Sequence, residues 1–333
     1  MDLFTSYSGQ VNSHQKPHGK GKMTWKLNGD TYEGEFRSGY PDGKGLLYYA
    51  VLGNSYHGDF LKGKRHGTGY LLTNTGDLIC GSFVNDILNG FAVIYYANGD
   101  FYEGEIRNNV KNGEGVLRYT TGQVYYGSFY ENYKHGLGRL VEIDGVQNLY
   151  GSWKWDQFTG RGKMTKYVGN SGILTVFEGK FVNGVMNGDG VSTDSLGIYY
   201  RGDFKDGMMH GVGELLMPHG GRYVGEFKYN DFKKGKSESP DKTTSFGSFY
   251  NFSPDGLKVR VAYNNGSEYY GSMRQGEKTG LGHYTSKKGV KTSAFFSRNS
   301  VISDSLVTYP SGRQYQSPSP NPFKSKSPNL FLY

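Results

Sequence analysis

Polar and apolar positions alternate in short bursts along this chain. Between residues 56 and 61, Tyr56, Gly58 and Phe60 alternate with His57, Asp59 and Leu61. A period of two predicts a strand with one aromatic face. The polar run Lys62-Gly63-Lys64-Arg65-His66 reads as a turn. Gly67, Gly69 and Leu71 then share a face of a second strand, and Asn74-Thr75-Gly76 reads as the next turn. The window is one β-hairpin of two short strands, about 23 residues long.

The same hairpin pattern recurs. Its marker is a glycine that follows an aromatic or equivalent residue in a Tyr-x-Gly-x-Phe setting, at Gly34, Gly58, Gly81, Gly104, Gly127, Gly151, Gly179, Gly202, Gly225, Gly247 and Gly271. Successive steps are 24, 23, 23, 23, 24, 28, 23, 23, 22 and 24 residues. A repeat of this length decides the architecture before any single residue does, and such arrays present surfaces instead of building catalytic pockets. The expected fold is all-β: an elongated single-layer antiparallel sheet, or rod, of tandem β-hairpins. The glycines have a steric reason. Without a Cβ, they let a Tyr or Phe ring lie on the backbone of the next strand.

This pattern resembles the MORN repeat family, whose consensus is approximately Tyr-x-Gly-x4-Gly-x2-His-Gly-x-Gly-x6-Gly. The segment Tyr200-Arg201-Gly202-Asp203-Phe204-Lys205-Asp206-Gly207-Met208-Met209-His210-Gly211-Val212-Gly213 is a near-complete copy. The resemblance covers residues 18 to 290, with His18-Gly19-Lys20-Gly21 as a leading half-repeat. It implies rods of one hairpin per repeat and antiparallel homodimers. On this reading, residues 1–17 are an N-terminal segment, 18–232 a regular array, and 233–315 a degenerate basic array with a loop near 234–243. Residues 316–333 form a Pro/Ser-rich tail expected to be disordered. Its final Leu330-Phe331-Leu332-Tyr333 could dock as an extended peptide on the array or on a partner.

The period fails in two places. The 28-residue step lies between Gly151 and Gly179, where Asn170-Ser171-Gly172 suggests a longer hairpin. Trp153 and Trp155 stand just before it, either as core filling or as an aromatic partner site. The second break follows Lys233, where Ser253-Pro254-Asp255-Gly256 replaces the usual His-Gly-x-Gly.

Charge changes at the same place. Residues 1–227 carry 22 Lys and Arg against 23 Asp and Glu, and residues 228–333 carry 16 against 7. Such asymmetry points to an anionic partner. Three clusters are candidates: Lys233, Lys234 and Lys236; Lys258 and Arg260; Lys287, Lys288 and Lys291. Anionic lipid and an acidic protein surface such as tubulin tails both fit. Nucleic acid fits less well, because no recognition fold is evident. A single cysteine, Cys80, excludes an internal disulfide and suits a small buried hydrophobe. The start of the chain has no basic region followed by an apolar run, and no stretch nears a membrane span. A reducing, cytoplasmic compartment is expected.

The chemistry-bearing residue types dissolve into the repeat. His18, His66, His135 and His210 share one repeat position, but Asp42, Asn89, Asn112, Thr159, Asn187 and Thr279 hold it elsewhere. That set suits a turn before glycine better than a metal site. Gly58 to Arg65 nearly matches a phosphate-binding loop, yet the repeat itself supplies the Gly-x4-Gly spacing and no helix follows. No nucleophile–base pair and no cofactor are expected. The chain reads as a non-enzymatic scaffold that binds proteins. The family resemblance implies a cytoskeletal, ciliary or flagellar setting. The alternative is a peripheral membrane tether that uses the basic third.

Overall fold

The structure, a computed structural model, describes residues 4–142, 147–168 and 172–318. The tail from 319 onward, including Leu330 to Tyr333, lies outside the described residues, as do Asn170 and Ser171 of the expected long turn. The described residues are strands and turns without a helix. They fall into two compact units, residues 1–166 and 167–333.

In the first unit each strand pairs antiparallel with the next along the chain. The series begins with Phe4–Val11 and Pro17–Trp25 and continues through Thr31–Arg37, Tyr40–Tyr49, Asn54–Leu61 and Lys64–Leu72. Its register is set by glycine. Gly9, Gly21, Gly34, Gly45, Gly58, Gly69 and Gly81 face one another in one row across the strands. The row passes through Ala92 to Gly104, Gly115, Gly127, Gly138, Gly151 and Gly162. The second unit repeats the device from Gly179 to Gly247.

The reason is the tyrosine two residues earlier. Tyr102 has no solvent exposure and lays its ring over Gly104 and Gly115. A Cβ on Gly115 would stand 2.7 Å from the Tyr102 hydroxyl, closer than carbon tolerates. That hydroxyl donates to the Glu105 carbonyl at 2.8 Å, so the buried polar end is satisfied. Tyr32, Tyr125, Tyr200 and Tyr269 make the same bond three residues on. Between the tyrosines sit Phe36, Phe60, Phe83 and Phe129, all buried. Tyr32 meets Phe36 at 5.0 Å and Phe60 at 4.9 Å, both edge to face. Each such contact contributes roughly 0.5–1.5 kcal/mol beyond its area burial.

Three local readings of the sequence change. The turn at residue 62 is only Lys62-Gly63, with φ of 48° and 81°, and Lys64–Leu72 is already strand. A two-residue turn with both φ positive matches the strand twist, and polar side chains do not prevent pairing on an open face. The glycine after histidine does not continue a flat strand, because Gly67 takes φ 66° in a bulge. The bulge is capped by Asp59, which accepts the Thr68 N–H at 3.0 Å. Residues 1–17 are not merely a leading segment. Phe4–Val11 is a full strand whose Tyr7-Ser8-Gly9 carries the marker, although the residue at the phenylalanine position is Val11.

In the second unit the expected loop at 234–243 is strand through Glu238. Asp231–Glu238 pairs with both neighbours, and only a short turn closed by the Lys242 N–H to Ser239 carbonyl bond follows. Lysine-rich composition there reflects a strand that buries Phe232 and Ser237 and leaves its lysines partly or fully exposed. Farther on, Thr244–Tyr250 pairs with both Ser253–Pro254 and Gly256–Ala262. A final pair, Ser305–Thr308 with Gln314–Ser317, runs into the region read as tail.

Candidate interaction surfaces

A sheet one layer thick has two faces, and here they differ. One face holds the tyrosine–phenylalanine ladder. Trp153 belongs to it: it is 4% exposed, stands between Tyr125 and Phe158, and donates its indole N–H to the Gly138 carbonyl at 3.2 Å. It is core, not a partner site, because it fills the ladder position of Phe129 in the preceding hairpin. Trp155 is separate. It sits in the turn at φ 51°, 44% exposed, with its ring held edge-on by Tyr130, Tyr133 and His135.

The same face carries caged cations. Lys111 places its ammonium over the rings of Tyr96, Tyr102 and Phe129 at 5.5–5.8 Å. Lys134 sits over Tyr119, Tyr125 and Trp153, Arg65 over Tyr49, Tyr56 and Phe83, and Lys278 over Tyr263, Tyr269, Tyr284 and Phe296. Burial holds Lys111 and Lys278 below the usual lysine range. The quadrupole of the rings compensates part of that lost hydration. Sequence reading missed these cages, but a signal was present. Each cation follows a tyrosine by 15 or 16 residues: Tyr49 and Arg65, Tyr96 and Lys111, Tyr119 and Lys134, Tyr263 and Lys278. Where Thr73 or Met217 takes the tyrosine's place, the cation position holds Leu88 or Phe232.

Beside Lys111 the first unit opens into a cleft of about 520 Å³ lined by Asp77, Tyr96, Asp100, Tyr119 and Asp156.

The opposite face exposes large apolar side chains next to the glycine row. In the first unit these are Leu46, Tyr70, Phe91, Tyr126, Leu137 and Tyr150, each at least 41% exposed. Cys80 lies among them, partly exposed, with burial pushing its thiol up. It is not the fully buried hydrophobe expected from sequence, because its side chain points away from the aromatic ladder.

On that face of the second unit the basic candidates partly converge. Lys236 faces Phe246 across one strand pair, Phe246 faces Arg260 across the next, and Arg260 faces Tyr270. Lys236 also lies over the Phe246 ring at 5.5 Å. Lys234 faces Ser248 on the same side. Lys258 is two residues before Arg260 in the same strand. The structure does not bring every candidate into that row. Lys233 pairs with Asp231, and Arg260 carries a bidentate bond to Glu268 at 2.9 and 3.1 Å. Lys287 and Lys288 occupy the turn closed by the Gly289 N–H to Ser286 bond, and Lys291 opens the next strand.

Of the histidine column only His18 bonds a turn through its ring; Nδ1 of His66, His135 and His210 is buried without a hydrogen-bond partner. His18 Nδ1 accepts the Ser38 N–H at 3.5 Å, and Asp42 accepts the Lys62 N–H at 3.2 Å from the same repeat position. No group of three metal-binding side chains occurs among the described residues.

Tandem hairpins in register on a glycine row, with side chains displayed on both faces, define a β-repeat protein built to present surface. The chain belongs to the MORN repeat family, which matches residues 7–26, 32–51, 56–78, 80–101, 102–124, 125–145, 150–171, 177–195, 200–222 and 269–291. Repeats of this family generally mediate protein or membrane-lipid interactions and form non-catalytic arrays. The unmatched stretch between 222 and 269 includes the irregular strands around Pro254. No curated protein matches the chain. Among solved structures, similarity is found to the SAS-4 (dCPAP) TCP domain of Drosophila melanogaster in complex with a proline-rich motif of Ana2 (dSTIL), at 11% identity over 68% of this chain and 84% of that one, with TM-score 0.15. Selenomethionine-substituted virginiamycin B lyase from Staphylococcus aureus follows at 8% identity, 80% and 89% coverage and TM-score 0.13. A streptogramin B lyase follows at 11% identity, 80% and 95% coverage and TM-score 0.12.

Proposed function

We propose that this protein is a non-enzymatic scaffold that holds partner proteins in a cytoskeletal or ciliary assembly. The observation that carries the binding role is the exposed apolar row Leu46, Tyr70, Phe91, Tyr126, Leu137 and Tyr150. Large apolar side chains gathered on one exposed face mark interaction sites. Family membership supports a scaffold over a catalyst. The cytoskeletal setting is our reading of what such an array serves. Proximity labelling in the native cell tests it, with enrichment of cytoskeletal or axonemal proteins expected. Diffuse cytosolic signal without stable partners would sink it.

A second reading has its own observation. Lys234 and Lys236 stand on one strand of the second unit and Lys258 two strands away, with Phe246 on the strand between and Tyr270 on the strand beyond. Cations beside aromatic rings suit an anionic lipid surface, where each contributes about 1 kcal/mol. Flotation with phosphoinositide vesicles decides this. Binding should vanish when Lys234, Lys236 and Lys258 become Glu, and an unbound parent protein would end the lipid reading.

A further inference from the structure

The cleft beside Lys111 belongs to neither of those surfaces. Its walls combine two chemistries. Asp77, Asp100 and Asp156 supply three carboxylates against the Lys111 ammonium in the lining and the Lys134 ammonium 4.0 Å from Asp156, so the cleft keeps a net negative charge. Tyr96, Tyr119 and Phe129 supply the rings. The carboxylates are held in place by the neighbouring turns. Asp77 Oδ1 accepts the Ala97 N–H at 2.8 Å, Asp100 Oδ1 accepts the Thr120 N–H at 2.9 Å, and Asp156 Oδ1 accepts the Lys134 N–H at 2.8 Å. Lys111 cannot neutralise them all, because its ammonium is turned into the ring cage.

The cleft also has a period. Asp77 and Tyr96 recur one hairpin later as Asp100 and Tyr119. Two strand widths make that step about 10 Å. An extended segment crossing the strands advances about 10 Å every three residues. The occupant that fits is thus an extended, cationic segment with aromatic or proline rings to lay on tyrosine.

This chain contains such a segment. Residues 318–333 read Pro-Ser-Pro-Asn-Pro-Phe-Lys-Ser-Lys-Ser-Pro-Asn-Leu-Phe-Leu-Tyr, with four prolines, two lysines and no acidic residue. Proline removes backbone donors and favours extended geometry, which lowers the entropy lost on docking. Phe323 and Lys326 are three residues apart, the spacing of one hairpin step.

We propose that segment 318–333 is a ligand of the Tyr96–Tyr119 cleft, with Lys326 against the carboxylate of one hairpin (Asp77 or Asp100) and Phe323 against the tyrosine of the next (Tyr96 or Tyr119). The proposal rests on the reading of the array as a binding surface and names one site and one occupant. Ser319 and Ser327 each precede proline, and a phosphate on either would set like charge against the same carboxylates.

The test uses the full chain carrying Lys324→Glu and Lys326→Glu, so that its own segment does not compete. A fluorescent synthetic peptide of residues 317–333 is titrated into it. Binding is expected, weakening with added salt and on phosphorylation of Ser319 and Ser327. Asp77→Asn with Asp100→Asn should weaken it roughly tenfold, or about 1.4 kcal/mol. Asparagine keeps the oxygen that the Ala97 and Thr120 N–H groups use, so thermal melting should stay with the parent and separate lost charge from lost fold. No binding at about 1 mM peptide, a free energy near −4 kcal/mol, overturns the proposal, as does equal affinity for the Asn variant. A chain that still assembles with cytoskeletal partners while ignoring the peptide would leave the scaffold reading standing and remove this one.

Discussion

Asn132 and Lys111 exchange two hydrogen bonds between adjacent turns. Asn132 Oδ1 accepts the Lys111 N–H at 2.9 Å, and the Asn132 N–H returns to the Lys111 carbonyl at 3.0 Å. The same exchange joins Arg65 with Asp86, Leu88 with Asn109, Met209 with Asn230 and Lys278 with Asn299. Gly39, Gly63 and Gly276 donate a single N–H to Pro17, Pro41 and Pro254. Proline has no N–H, so there is nothing for a side-chain oxygen to accept. The side chain at this turn position follows the donor it must satisfy in these hairpins, with one exception: Gly207 donates to Met186, which has an N–H.

That rule predicts an asymmetry. Asn132→Gly keeps the positive φ of 70° but strands the Lys111 N–H, and should cost about 1 kcal/mol. Gly63→Asn, at φ 81° with no heavy atom within 3.5 Å of an added Cβ, should change stability by less than about 0.5 kcal/mol because Pro41 offers no donor. Urea melts of the two variants check it. Equal effects would show that the pairing of side chain and donor is coincidental.

The glycine row yields a coupled prediction. Gly138→Ala drives a methyl into the Tyr125 hydroxyl and ring, and should cost roughly 2 kcal/mol or more. Adding Tyr125→Ile should recover part of that loss, with a coupling of about 0.5–3 kcal/mol. The chain already contains this exchange. Ala92 breaks the row, and its hairpin has Ile79 at the tyrosine position. Val259 breaks it with Ser245, and Ala294 with Thr292. A strictly additive double-mutant cycle would refute the ring-seat explanation.

Alkali should unfold the array. Burial pushes the phenols of Tyr56, Tyr200 and Tyr269 up to about 12 and raises Tyr32, Tyr102 and Tyr125 as well. An unfolded tyrosine loses its proton near pH 10, so above that pH the folded chain holds more protons than the unfolded one. Stability that is fully present below about pH 10 is then lost as pH rises toward the folded values. Lys111 and Lys278 act oppositely, since their depressed values make stability rise with pH up to about 10.4. Tyrosines outnumber them, so the net slope above about pH 10 is downward. Tyrosinate absorbance should appear together with loss of sheet in circular dichroism. Ionisation of all tyrosines in a still-folded chain would contradict this.

The caged lysine separates charge from packing. Lys111→Met retains the stem and removes an ammonium that burial disfavours, so stability should hold within about 0.5 kcal/mol or rise. Lys111→Ala removes the stem beneath Tyr96, Tyr102 and Phe129, and should cost about 1–3 kcal/mol. Thermal melts of both variants report which part of the side chain matters.

The hairpin period, the glycine markers, the family and the all-β class were legible in the chain because steric fit writes itself into local sequence. A ring two residues before a glycine is a short-range signal, and its presence at eight of the eleven marker glycines makes it unmistakable. The two-residue turns and the bulge at Gly67 were not, since Lys64, Arg65 and His66 are polar in either conformation and only pairing with Asn54–Leu61 makes them strand. The basic candidates were visible as composition. Which of them share a surface was not, because Lys236, Phe246 and Arg260 meet only through register across three strands.

By itself the sequence determined what repeats and how often, since spacing and the choice of glycine beside tyrosine are covalent facts. Only tertiary structure decided what each copy displays. Pairing put Trp153 under Tyr125 and left Trp155 outside, although only one residue separates them along the chain. It also gathered Asp77, Asp100 and Asp156 around Tyr96 and Tyr119. Residues a hairpin apart become neighbours when strands stack at about 4.8 Å, a distance no one-dimensional pattern records.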